Sequence, residues 1–74
     1  MYTLYTSPSC GKCQNVKKIL TNKGVPFNII DISTDENAKK LLMEKNLIDL
    51  PALQYANGAF VSGGYVGILK EINK

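Results

Sequence analysis

Two cysteines separated only by Gly11 and Lys12 lie where one kind of secondary structure must give way to another, and that junction limits the folds open to the chain. Ahead of them, Tyr2-Thr3-Leu4-Tyr5-Thr6 consists of aromatic, β-branched and aliphatic residues and reads as a strand. Behind them, Val16, Ile19 and Leu20 within Gln14 to Lys23 recur at the spacing that lines one face of a helix. Cys10 therefore belongs at or near a helix N-terminus, and Cys13, about one turn later, projects to the same side. Unpaired N–H groups and the helix dipole favour an anion at that end. A thiolate is such an anion and is the reactive form of cysteine, and Lys12 adds positive charge beside it. The chemistry these residues point to is thiol–disulfide exchange.

A bridge between Cys10 and Cys13 closes a very short loop, so it constrains the unfolded chain little and makes a poor structural staple. The chain has no histidine, and its two cysteines cannot complete a tetrahedral zinc site within one copy. A dimer supplying four thiolates, as a metal or iron–sulfur binding module, is the alternative from a different class. A redox-responsive binding module without turnover is a third. With 74 residues, 45% of them apolar, residues 1–74 are expected to form a single domain with a small sheet and economical loops. No apolar run approaches the length that crosses a bilayer, and the N-terminus lacks a signal-like pattern. The expectation is a cytoplasmic monomer with neither membrane nor nucleic-acid partners. The net charge of +3 comes from lysines alone, and Lys12, Lys17, Lys18 and Lys23 gather on or near the first helix. That cluster reads as a solvated face, with a secondary capacity to steer acidic partners toward the thiols.

Farther along, Gly24 suits the left-handed residue that ends a helix, and Pro26 favours an extended Val25. Phe27-Asn28-Ile29-Ile30-Asp31-Ile32 reads as a second, largely buried strand, giving a βαβ unit with parallel pairing and a right-handed crossover. Ser33 and Glu36 stand at capping-box spacing before a second helix with Ala38, Leu41 and Leu42 on its apolar face and Asn46 as its stop. Leu47, Ile48 and Leu50 read as packing residues ahead of Pro51. Ala52 to Ala56, Asn57-Gly58 and Ala59-Phe60-Val61 predict a hairpin, since both turn residues tolerate positive φ. After Ser62-Gly63-Gly64, the positions of Tyr65, Ile68, Leu69 and Ile72 predict a terminal helix. The resulting class is α/β, in the order βαβαββα, with a four-stranded mixed sheet flanked by three helices.

This whole pattern resembles the glutaredoxin branch of the thioredoxin fold. The resemblance rests on Tyr5-Thr6-Ser7-Pro8-Ser9-Cys10-Gly11-Lys12-Cys13, on Leu50-Pro51 and on Gly63-Gly64-Tyr65, in that order along the chain. It implies a cis Leu50–Pro51 bond lying against the thiol pair, with Cys10 as the exposed nucleophile and Cys13 as the resolving thiol. It also implies that Leu50 and Pro51 hold a bound peptide or glutathione, and that Gly63, Gly64 and Tyr65 receive a carboxylate at a helix N-terminus. No bound cofactor is implied. Glutathione, or a flavoprotein of the thioredoxin-reductase type using NADPH, is the implied reductant, and protein disulfides are the implied partners.

The chain departs from the family pattern at several points. Gly11-Lys12 replaces the usual Pro-Tyr, and Ser7 stands where a lysine commonly helps to hold glutathione. Asp49 introduces an acid before the proline, and Val66 lies near the place of the usual acid after Gly-Gly. Lys12 partly replaces the missing positive charge. These departures open a neighbouring reading, a small redoxin recharged by thioredoxin reductase that donates electrons to ribonucleotide reductase. The opening residues also look like those of arsenate-reductase-like regulators, which carry an inserted helical region absent from this chain. Tyr5 and Asp31 read first as packing and as a loop carboxylate, while Tyr65 reads equally as groove wall and core.

Overall fold

The computed structural model describes residues 1–74 except Ile48, so the packing expected of Ile48 falls outside the described residues. The elements are β1 (Tyr2–Thr6), α1 (Gly11–Asn22), β2 (Phe27–Asp31), α2 (Glu36–Glu44), β3 (Ala52–Gln54) and α3 (Gly64–Ile72). They form a three-stranded sheet in the order β2-β1-β3. β1 runs parallel to β2, with Leu4 opposite Ile29, and antiparallel to β3, with Leu4 opposite Leu53.

Because side chains alternate along a strand, Leu4 and Tyr5 leave β1 on opposite faces. Leu4 joins Val16 and Leu20 of α1, Leu53, Val61, and Ile68 and Ile72 of α3 in one buried cluster. Tyr5 joins Ala38 and Leu42 of α2 and Ala52 in the other. The sheet is thus a middle layer with α1 and α3 on one side and α2 on the other.

Local sequence explains most of the helix ends. α1 stops at Gly24, where the Val25 N–H reaches the Leu20 carbonyl at 3.0 Å and the Gly24 N–H reaches Thr21 at 3.1 Å. The same pair of bonds ends α2, from Leu47 to Leu42 at 2.8 Å and from Asn46 to Met43 at 3.1 Å. The start of α2 differs from the expected Ser33 capping box. Asp35 is the N-cap and its Oδ1 accepts the Ala38 N–H at 3.0 Å. Ser33 is engaged elsewhere, donating both its N–H and its hydroxyl to Asp31 Oδ1, and this turn delays the helix by two residues.

Three further expectations are corrected. Among the described residues the fourth strand is absent, and Ala59-Phe60-Val61 contributes one isolated bridge, Phe60 with Gln54. The return arm does bond to its partner, through Tyr55 N–H to Ala59 O at 2.7 Å and Val61 N–H to Leu53 O at 2.8 Å. It ends after three residues because Gly63 (φ 90°) and Gly64 (φ 63°) are both left-handed, a backbone that cannot continue a strand. Of the hairpin's Asn57-Gly58, only Gly58 takes positive φ. β2 is also less buried than expected, because it is an edge strand, and Ile29 remains 45% exposed.

Gly67 carries a constraint that periodicity does not reveal. A Cβ at this position would stand 2.8 Å from the Ser62 carbonyl carbon and closer still to its oxygen. Glycine in a helix interior normally costs about 1 kcal/mol relative to alanine, so its presence here marks a close backbone approach. At the far end of α3, Glu71 accepts the hydroxyls of Tyr2 at 3.0 Å and Tyr55 at 2.9 Å and pairs with Lys74 at 3.0 Å. The Lys74 ammonium first, then the Tyr55 and Tyr2 hydroxyls, hold the Glu71 carboxyl below its ordinary value. Burial first, then Glu71, raises the Tyr2 hydroxyl above its own.

Gly67→Ala should lower the urea midpoint, with overpacking of about 1–3 kcal/mol outweighing the helix-propensity gain, because rigid backbone is what the methyl meets. Glu71's lowered pKa means that its contribution is present above the ordinary carboxylate value and lost as pH falls through the folded one. Urea titrations across acidic pH should show this loss, and Glu71→Gln should flatten it.

Candidate functional site

β1 delivers the chain to the thiol pair. After Thr6, residues 7–9 turn, with the Cys10 N–H bonded to the Ser7 carbonyl at 3.2 Å, and α1 begins at Gly11. Cys10 is the N-cap residue of α1, in extended conformation (φ −90°, ψ 101°). Its sulfur accepts the Cys13 N–H at 3.1 Å, the role usually filled by a Ser or Asp oxygen. An amide dipole therefore points at Cys10 Sγ, as the position of the pair in the sequence suggested.

Cys10 and Cys13 are joined as a disulfide, with their Cα atoms 5.3 Å apart. The two sulfurs have different surroundings. Cys10 is partly exposed, whereas Cys13 is fully buried with its Sγ 3.9 Å from the Tyr5 carbonyl oxygen. Only Cys10 offers a face to a molecule arriving from solvent.

The remaining expected site residues approach from two directions. On one side, Lys12 Nζ stands 5.5 Å from the centre of the Tyr65 ring. Asn15 Nδ2 donates to the Tyr65 hydroxyl, so Tyr65 ties the first turn of α3 to α1. Gly63, the N-cap of α3, and Gly64 immediately precede Tyr65, so these three residues and Lys12 share one side of the disulfide's helix. Tyr65 also packs against the core, the packing half of what the sequence allowed it. On the other side, the Leu50–Pro51 peptide is cis and Pro51 is buried. Because Ala52 pairs with Tyr5, the antiparallel register puts Pro51 at the end of the sheet from which β1 leads toward Cys10.

Tyr5 is buried, packs 5.7 Å from the Phe60 ring and donates to Gln54 Oε1 at 2.7 Å. Burial first, then the charge of Asp35, raises its hydroxyl above the ordinary value. Asp31 is engaged by Ser33 and Asp49 is exposed. A concavity of about 350 Å³ lined by Tyr2, Pro26 and Tyr55 lies at the opposite end of the sheet from the disulfide.

Asn15 and Gly67 went unremarked in the sequence. Asn15 lies three residues after Lys12, on the same side of α1, a spacing that would have linked both to one partner. Among the described residues, no group of three or more histidine, cysteine or acidic side chains gathers to hold a metal ion, and no helix is long and apolar enough to cross a membrane.

Comparison with known proteins places this geometry. The chain is 36% identical over 62 residues, 82% of its length, to an uncharacterized monothiol glutaredoxin ycf64-like protein of Synechocystis. It spans 57% of that relative's length. NrdH-redoxin from Escherichia coli, described as a glutaredoxin-like protein, superposes with a TM-score of 0.81 at 24% identity, covering 97% of this chain and 90% of the other. The thioredoxin-like protein BC3987 superposes with a TM-score of 0.77 at 26% identity, covering 97% and 99%. The family model for glutaredoxin matches residues 2–61, across the disulfide, the cis proline and the hairpin, and the chain belongs to the glutaredoxin family.

Proposed function

We propose that residues 1–74 act as one glutaredoxin-like unit that reduces protein disulfides, or mixed disulfides with glutathione, through Cys10 and Cys13. The observation that carries this reading is the unequal pair: Cys10 at a helix N-cap with an amide N–H on its sulfur, and Cys13 buried behind it. The helix end and the N–H favour sulfur as an anion at Cys10. Burial and the nearby Tyr5 carbonyl oxygen favour the neutral thiol at Cys13.

The reaction begins with both cysteines reduced. The Cys10 thiolate attacks one sulfur of the substrate disulfide, that S–S bond breaks, and the other substrate sulfur leaves as a thiolate. Cys13 then gives up its proton and attacks Cys10 Sγ, displacing the second substrate sulfur. The substrate gains two electrons and the protein is left in the disulfide form seen here. Two glutathione molecules, or a flavoprotein reductase drawing on NADPH, return the pair to dithiol. No bound cofactor takes part.

In this reading Leu50 and Pro51 line the peptide's path. Pro51 brings no N–H of its own, which leaves the Leu50 backbone free to bond an extended segment. Gly63, Gly64, Tyr65 and Lys12 form the anion-favouring side. The recycling system is the finer question. Gly11-Lys12, Ser7 and Val66 stand where glutathione contacts are usual in the family, so the chain is short of them. These departures favour recharging by thioredoxin reductase, with ribonucleotide reductase as an acceptor, and NrdH-redoxin, which shares the fold, is described as having a thioredoxin-like activity profile. A cytoplasmic monomer fits either arrangement.

Disulfide reduction followed in parallel with glutathione plus its reductase and with thioredoxin reductase plus NADPH should show turnover in at least one. Silence in both would overturn the oxidoreductase reading. Cys10→Ser should bring turnover to background, whereas Cys13→Ser should accumulate a protein–substrate mixed disulfide visible as a mass increase on the intact protein.

A further inference from the structure

Charge on this molecule is unevenly distributed around its redox pair. α1 carries Lys12, Lys17 and Lys18 and no acidic residue, with Lys23 as its C-cap. α2, across the sheet, mixes Lys39 and Lys40 with Glu36 and Glu44 and has Asp35 as its cap. Among the described residues the one ion pair is Lys74 with Glu71, so Lys17 and Lys18 present unpaired ammonium groups. Both are exposed, and with Gln14, Thr21 and Asn22 they line a shallow concavity of about 330 Å³ along the outer side of α1. Every side chain on that stripe ends in a hydrogen-bonding group, and none is aromatic or acidic.

We propose that this stripe docks an acidic segment of the protein whose disulfide is being reduced. The inference rests on the oxidoreductase reading and names the class of substrate that the site prefers. A protein segment suits the stripe better than nucleic acid, since the chain holds no arginine and the stripe offers no stacking platform.

Geometry fixes where the acids belong. Lys17 and Lys18 follow Cys10 by seven and eight residues, about 10–12 Å along a helix axis. An extended segment covers that distance in about three to four residues. The preferred substrate therefore carries Asp or Glu three to four residues from its reacting cysteine.

The test uses three peptides, each with one cysteine joined as a disulfide to 2-mercaptoethanol and flanked on both sides, three and four residues away, by Glu, Gln or Lys. With the reduced protein in about 0.01 M salt, where charges act over about 30 Å, the Glu peptide should react about tenfold faster than the Lys peptide. The difference should vanish in about 1 M salt. The Lys17→Glu/Lys18→Glu variant should reverse the order while reducing uncharged 2-hydroxyethyl disulfide at the unaltered rate. Equal rates for the three peptides, or an unchanged preference in the variant, would overturn the proposal.

Failure of the unaltered protein to reduce 2-hydroxyethyl disulfide would sink the oxidoreductase reading instead. Docking is then read separately, from amide shifts across Gln14 to Asn22 on titration with the Glu peptide whose cysteine is serine. Absence of those shifts, or tighter binding at α1 by a DNA duplex or phosphatidylserine vesicles, also overturns it.

Discussion

β1 is the strand on which everything else is hung. It is central in the sheet and bonds to a neighbour on each edge. Its adjacent residues Leu4 and Tyr5 anchor clusters on opposite faces, so both layers of helix depend on its placement. A small chain buries a limited share of its surface, and using both faces of one strand makes the most of what is available. The same strand supports the chemistry, because its last residues lead into the turn that presents Cys10, and the Tyr5 carbonyl oxygen lies against the sulfur of Cys13. Displacing β1 would disturb the core and the redox pair together.

α3 closes the molecule by being fastened at both ends. Near its start, Tyr65 receives Asn15 from α1 and lies under Lys12. Near its end, Glu71 is held by the hydroxyls of Tyr2 and Tyr55, whose rings stand 5.9 Å apart. Gly67 lets the helix sit tightly over Ser62. These attachments hold Tyr65, some fifty positions after the cysteines, against Lys12 and Asn15 of α1. The first strand, the first helix and the last helix thus form one frame around the disulfide.

The hairpin shows how a clear local signal can mislead about extent. Asn57-Gly58 marks the turn correctly, and the return arm bonds back to β3. Its length was set instead by Gly63 and Gly64, whose left-handed backbone reverses the chain before a fourth strand can form. A similar competition moved the α2 cap from Ser33 to Asp35, since Asp31 captured Ser33 first. The exposure of Ile29 was hidden for another reason. A run of apolar residues does not say whether its strand lies inside the sheet or on the edge.

Local chemistry in the sequence determined the order of every element but the fourth strand, which does not form, together with the helix stops at Gly24 and Asn46 and the placing of Cys10 at a helix tip. Each of these follows from backbone preference or from spacing within a few residues. Tertiary structure alone decided that Tyr65 clasps Lys12 and Asn15, that Glu71 joins two tyrosines from distant segments, and that β2 is an edge. Those outcomes depend on which surfaces meet when the chain closes on itself, and contacts between residues up to 69 positions apart leave no periodic trace along the sequence.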